Sequence, residues 1–399
     1  MTKKTRTKNS RTWGDATKLV RGGLERSPFG ETAEALYLNS GFVYDAPETA
    51  ENRFANKDDG YVYGRYGNPT VSMFEERLAL LEGAEACYGV ASGMAAVFGS
   101  LACQLKAGDH IVASRALFGS CYQVITAILP RFGITYTLVD GGDMQAWSAA
   151  MTPATKVVFL ETPSNPTLEI IDVAAVGEIA KRAGACFVVD NVFATPILQK
   201  TLPMGADVVV YSGTKHMDGQ GRVLGGAIVS TKTFKEELLK PFLRHTGPSL
   251  SPFNAWVLLK GMETLKLRVE AQSNAAHDVA EHLSALKGVV RVIYPHLDSH
   301  PQYALAKRQM ALGGTMVTFE VEGSKKKAFD ILRKLRLVDI SNNLGDAKSL
   351  MTHPASTTHR NIGEDARTMM GITEGMLRLS VGLEDVDDIL ADVKQAIAG

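Results

Sequence analysis

An α/β fold is predicted, with a mostly parallel sheet covered by helices and a smaller α+β unit behind it. Three observations carry that expectation. Short apolar runs alternate with polar turns and helical stretches through the middle of the chain, as parallel strands joined by crossover helices do. A helical pattern then runs unbroken from about 250 to 287. Beyond it, strand-like and helix-like segments mix without regular alternation.

Taken in order, residues 1–70 are rich in Gly, Pro, Asn and Tyr, show little periodicity, and read as an extended arm with short helices. Phe74, Leu78, Leu80 and Leu81 fit an amphipathic helix, and Glu85–Val90 fits a short strand. The alternating region supplies apolar runs at His110–Ala113, Thr135–Val139, Lys156–Glu161, Cys186–Asp190, Asp207–Tyr211 and Gly225–Ser230. Trp256, Leu258, Leu259, Met262, Leu265, Leu267 and Val269 mark one long helix. Val289–Tyr294, Gly314–Val321, Ala328–Leu335 and Leu377–Val381 make up the last unit. The expected divisions are 1–70, 71–265 and 266–399.

Composition narrows the function. Forty-three basic side chains balance 43 acidic ones, which argues against nucleic acid or an anionic membrane as the main partner. The longest apolar runs are far too short to span a bilayer. Lys3, Lys4, Arg6, Lys8 and Arg11 make the start basic, but no apolar stretch follows, so a polar tail is expected rather than a secretory signal. Cys87, Cys103, Cys121 and Cys186 stand singly, which suggests neither zinc nor a disulfide framework and suits a reducing cytoplasm.

Ligands of open α/β sheets bind beyond the carboxyl ends of strands, so the residues after each run matter most. After Glu85–Val90 comes Ser92-Gly93-Met94, where a glycine and a helix start can seat a phosphate. The competing reading is an ordinary helix entry capped by Ser92. The glycine spacing excludes the dinucleotide fingerprint. Asp190 follows Cys186-Phe-Val-Val. An acid there either caps the next helix or keeps the ring nitrogen of a pyridine cofactor protonated. The third segment is Ser212-Gly-Thr214-Lys215. A partly desolvated lysine becomes a nucleophile towards an aldehyde, and Ser212 and Thr214 can donate to a phosphate. An anion seat, a proton-holding acid and an amine nucleophile in one domain are what pyridoxal phosphate (PLP) requires.

These segments also carry a resemblance. Tyr63-Gly-Arg65-Tyr-Gly-Asn68-Pro-Thr70, Ser92-Gly93-Met94-Ala, Glu161-Thr-Pro-Ser-Asn165-Pro, Val189-Asp190-Asn191, Ser212-Gly-Thr214-Lys215, Ser349-Leu-Met-Thr-His353-Pro-Ala and Leu377-Arg378-Leu-Ser-Val-Gly occur in this order. From about residue 20 to the end the sequence resembles the Cys/Met-metabolism family of PLP enzymes, of fold-type I, the aminotransferase-like architecture. The resemblance implies that Lys215 holds the cofactor as a Schiff base and that Asp190 partners the ring nitrogen. It implies that Gly93, Met94, Ser212 and Thr214 hold the phosphate. Tyr63, with a catalytic role, and Arg65, on the phosphate, are implied to enter from a neighbouring subunit. The arm of residues 1–70 then crosses to that partner, in a homotetramer of active-site-sharing dimers. Asn165, Ser349 and Arg378 resemble the substrate-positioning set, with Arg378 clamping an α-carboxylate.

Most of the family stacks a tyrosine on the cofactor ring, whereas this sequence has Phe118 before Gly119. That phenylalanine, with His216–Arg222 and Ile340–Asp346, resembles the branch that joins sulfide to O-succinylhomoserine and releases succinate. The activity so implied is a γ-replacement that gives homocysteine for methionine synthesis. Cystathionine γ-synthase and methionine or cystathionine γ-lyase are the alternatives. Arg222 is a further candidate, as the cation for the succinyl carboxylate; the competing reading has it pair with Asp218 and only shape its loop.

Overall fold

The structure, a computed structural model, describes residues 12–398; the basic tail expected from Lys3 to Arg11 lies outside them. Seven strands form the larger sheet: β1 (Ala86–Val90), β2 (His110–Ser114), β3 (Thr135–Val139), β4 (Thr155–Glu161), β5 (Cys186–Asp190), β6 (Val208–Ser212) and β7 (Gly226–Ser230). Their order is β1-β7-β6-β5-β4-β2-β3. Only β7 runs against its neighbours; the pairs from β3 across to β6 are all parallel. The central strands are apolar throughout, with Val157–Leu160, Phe187–Val189 and Val208–Val210 all buried, as a sheet covered on both faces demands.

The helix Pro69–Glu82 shows how local sequence places an element. Asn68 Oδ1 accepts from the N–H groups of Thr70 and Val71, Pro69 opens the first turn, and Gly83 closes the helix at φ 74°. Its Phe74, Leu78 and Leu81 are fully buried. Arg77 of the same helix is buried too, donating to the Gly22 and Leu259 carbonyls and pairing with Glu34, which ties the arm to this core. The arm itself carries two short helices, Asp15–Arg21 and Pro47–Phe54.

The smaller sheet contains β8 (Val289–Ile293), β9 (Met316–Val321), β10 (Asp339–Ile340), β11 (Leu350–Thr352) and β12 (Met376–Ser380), in the order β10-β11-β12-β9-β8. Val317, Phe319, Leu377 and Leu379 pack with Ile331, Ile389 and Val393 of the helices Lys325–Lys334 and Val386–Ala398. Among the described residues no helix is long and apolar enough to cross a membrane.

One expectation needs correction. The helical stretch from about 250 to 287 is two helices, Pro252–Glu263 and Leu265–Ser284, broken at Thr264 (φ −107°, ψ 4°). Arg268 accounts for the break. Its Nη2 donates to the Gly261 carbonyl, its Nε to Thr264 Oγ1, and its Nη1 to the His216 carbonyl. A buried guanidinium thus takes an acceptor that a continuous helix would use and pins the break to the segment after Lys215. The second helix serves both cores: Leu265 and Val269 pack with the larger sheet, and Ala276, Val279 and Leu283 with the smaller.

Candidate active site

The carboxyl ends of β4, β5 and β6 deliver Glu161, Asp190 and Ser212 to one side of the larger sheet. Beyond them lies a cavity of about 250 Å³, lined also by Gly93, Met94, Phe118, Asn165, Thr214, Lys215, Asn342 and Arg378.

One end is built from the helix Gly93–Ala102. Ser92 is its N-cap and accepts from the Ala95 N–H at 3.1 Å, so its hydroxyl is used in capping. Gly93 must lack a side chain, because a Cβ there would stand 2.6 Å from Ser212 Cβ. The close approach of helix start and strand end brings Gly93 and Met94, at the positive pole of a ten-residue helix, beside Ser212 in the cavity lining. Thr214 Oγ1 accepts from the Gly225 N–H at 3.2 Å, so that hydroxyl is shared with its own loop.

The middle of the cavity holds two buried acids. Asp190 and Glu161 face each other in the β4–β5 register. Burial raises the Asp190 carboxyl well above the usual carboxylate range, while the Val192 N–H, 3.1 Å from Oδ1, opposes the shift. Burial and then the Asp190 charge raise Glu161 as well. Glu161 is satisfied locally: Oε2 accepts from the Phe118 N–H at 2.7 Å and Oε1 from the Asn165 N–H at 3.0 Å. Among the described residues Asp190 Oδ2 has no hydrogen-bond partner, so this acid can hold a proton for a ring nitrogen.

Lys215 projects from the turn after β6. Burial, and then the charge of Arg378, lower its amine to about 8, and Nζ donates to Asn343 Oδ1 at 2.6 Å. Arg378, on β12 of the smaller sheet, is only 1% exposed. Its Nη1 donates to Asn165 Oδ1 at 2.8 Å, and its Nη2 to the Asn342 and Asn343 carbonyls at 3.0 and 3.3 Å. Nε has no partner, and among the described residues no carboxylate lies at ion-pair distance from this guanidinium. A buried, unpaired guanidinium is costly, and a small carboxylate entering the cavity is the complement it lacks. The residues fit PLP: an anion seat at one end, a desolvated acid, an amine whose proton affinity burial lowers, and the Phe118 ring in the wall.

Not every expected site residue is here. Ser349 is buried behind the cavity; its N–H and hydroxyl meet Glu384 at 2.7 and 2.9 Å, and its oxygen accepts from the Gly382 N–H. It lines no part of the cavity; from this region Asn342 does, and the neighbouring Asn343 accepts from Lys215. Arg222 is also outside the lining: its Nε donates to Asp218 Oδ1 at 2.8 Å and its Nη2 to the Asp218 carbonyl at 3.0 Å. That is the loop-shaping arrangement. Tyr63 and Arg65 lie away from this cavity, where Arg65 donates to the Arg244 carbonyl and stacks on the Tyr63 and Tyr66 rings. Glu161 and Asn343 carry site contacts that sequence reasoning did not assign, although both stand in segments singled out for the resemblance.

The profile of the family described as Cys/Met metabolism PLP-dependent enzymes matches residues 16–398. An O-succinylhomoserine sulfhydrylase of Mycobacterium tuberculosis is 57% identical over 387 residues, covering 96% of this chain and 95% of that protein. An L-methionine gamma-lyase of Porphyromonas gingivalis is 42% identical over 386 residues, covering 96% and 97%. Among solved structures, a Campylobacter jejuni protein described as an O-acetylhomoserine (thiol)-lyase, with N'-pyridoxyl-lysine-5'-monophosphate in its chain, superposes with a TM-score of 0.93 at 33% identity. That match covers 97% of this chain and 100% of that one.

Proposed function

The chain belongs to the Cys/Met metabolism family of PLP-dependent enzymes, and from that premise we propose that it is an O-succinylhomoserine sulfhydrylase, replacing succinate by sulfide to give L-homocysteine. The observation that carries this reading is the 57% identity to a sulfhydrylase over nearly the whole of both chains.

Bound PLP supplies the electron sink that lets protons leave the carbons next to the amino group. The chain's own residues do the rest. Arg378, with its unpartnered Nε, receives the α-carboxylate and fixes the substrate backbone. Asp190 holds a proton at the ring nitrogen. Lys215, whose amine burial and the Arg378 charge push down to about 8, is the group placed to take a proton and return it. Phe118, in the cavity wall, would border the cofactor without offering a hydroxyl, so no proton transfer rests on it. Gly93, Met94, Ser212 and Thr214 hold the phosphate.

Tyr63 and Arg65 complete the site from a partner subunit, in dimers that pair into a homotetramer. The arm supports this reading: Phe29 and Val43 are 95% and 94% exposed, which an arm laid over a second subunit would cover. The four unpaired cysteines suit a cytoplasmic enzyme.

Succinate release measured with sulfide, with cysteine and with no thiol tests the reading. Homocysteine and succinate in equal amounts with sulfide are expected. Preference for cysteine would make the enzyme a cystathionine γ-synthase. Breakdown of methionine without added thiol, faster than the replacement reaction, would favour the γ-lyase reading that the 42% identity raises.

A further inference from the structure

We propose that Arg244, entering the partner subunit's site beside Arg65, receives the distal carboxylate of the substrate's succinyl group; the proposal rests on O-succinylhomoserine being the substrate. That ester carries two carboxylates, one on the α-carbon and one at the end of the leaving group. The cations lining this chain's own cavity are Lys215 and Arg378. Arg378 accounts for the α-carboxylate and Lys215 for the cofactor. Arg222 is held by Asp218. No cation in this lining is then left for the second carboxylate.

The surface that carries Arg65 offers one. Arg244, in the helix Lys240–Thr246, lies with its guanidinium carbon 3.7 Å from the Tyr66 ring centroid, and that of Arg65 lies 4.7 Å from the same centroid. Arg65 Nη1 donates to the Arg244 carbonyl. Of the other cations lining the same cleft, Arg53 pairs with Asp58, Lys235 with Glu75 and Lys240 with Glu236, while Lys232 is exposed to solvent. Among the described residues Arg65 and Arg244 have no carboxylate at ion-pair distance, and Arg244 Nε is buried without a partner. Two guanidiniums sharing one ring repel each other unless an anion arrives. A partner's site supplies two anions, the cofactor phosphate and the free end of the substrate. With Arg65 on the phosphate, Arg244 is left for the succinate tail. An acetyl ester has no such tail.

The test uses purified holoenzyme carrying Arg244→Gln or Arg244→Lys, assayed with sulfide on O-succinylhomoserine and O-acetylhomoserine. With Arg244→Gln, kcat/KM for the succinyl ester should fall roughly tenfold or more beyond any fall for the acetyl ester. Cofactor content, read from absorbance, should hold, and Arg244→Lys should regain much of the preference. Equal losses on both esters, an unchanged preference, or loss of cofactor would each overturn the proposal. Co-expression of Arg244→Gln chains with Lys215→Ala chains tests the partner's role. Mixed assemblies contain a site with Lys215 from one chain and Arg244 from the other, so the succinyl preference should return; if it does not, Arg244 does not act across the interface. Absence of succinate release by the unmodified enzyme would instead remove the substrate reading itself.

Discussion

Lys215 Nζ donates to Asn343 Oδ1 at 2.6 Å, and the carbonyl of the same asparagine accepts from Arg378 Nη2 at 3.3 Å. One loop residue of the smaller unit thus touches both the amine and the guanidinium. Its amide oxygen favours the protonated amine, while burial and Arg378 favour the neutral one. The pH dependence of acylation of Lys215 in cofactor-free enzyme should show a midpoint near 8. In Asn343→Ala the midpoint should move lower, because the group that favours the charged form is gone. A wild-type midpoint at the ordinary lysine value would refute this account. Lys215→Ala should lose turnover and the borohydride-fixed cofactor together.

Arg378→Ala should weaken amino-acid substrates and leave the cofactor bound. Loss of a buried carboxylate clamp lowers kcat/KM by about 2–5 kcal/mol in free-energy terms. Steady-state kinetics with an absorbance measure of bound PLP check it. A variant with unchanged kinetics but no cofactor would assign the arginine to PLP.

Gly93→Ala tests the anion seat. The added Cβ would meet Ser212 Cβ at 2.6 Å and push the helix start away from β6. Cofactor affinity should drop at least tenfold, since a phosphate depends on N–H groups held at fixed positions. Equilibrium dialysis of PLP decides the matter, and wild-type affinity would show that the phosphate sits elsewhere.

Glu82 predicts a pH dependence of stability. Its carboxyl, bonded by the Tyr211 hydroxyl, is raised by burial to about 7 from an ordinary 4.5. The fold therefore binds a proton that the unfolded chain releases between those values. Stability from this group is full below pH 4.5 and is lost as pH rises through 7. Glu82→Gln stays neutral and keeps an acceptor for Tyr211. Unfolding free energies from urea titration of cofactor-free protein should fall more from pH 5 to pH 8 in wild type than in the variant, by about 1–3 kcal/mol. Parallel curves would show that Glu82 does not titrate in this range.

Tyr63 and Arg65 should approach the cofactor of a partner chain. A crystal structure of the assembled holoenzyme with both residues beyond side-chain reach of every Lys215 would remove the shared-site reading. Under that reading, dilution to monomers also abolishes activity, because each site loses a phosphate ligand.

Much of the larger sheet was legible in the sequence. Its strands are short apolar runs whose hydrogen bonds are taken up by neighbouring strands, and the residues after them stay at the strand ends whatever the loops do. Asp190 and Ser212 close β5 and β6, and Lys215 follows by three residues. The helix break at Thr264 was not legible, since periodicity cannot show that Arg268 will be buried and take the Gly261 carbonyl. Ser349 and Asn343 illustrate the same limit: both are small polar residues near one motif, and only packing turns one to Glu384 and the other to Lys215.

The sequence by itself determined the order of strands and helices, the reactive groups at their ends, and through its motifs the family and cofactor. Each of these depends on residues close together in the chain. Tertiary structure alone decided what those groups touch. Arg378 meets Asn165 across 213 residues of sequence, and Lys215 meets Asn343 across 128. Such pairs arise where the smaller sheet packs over the ends of the larger one. Their geometry follows from how two buried cores fit together, which no local pattern of side chains encodes.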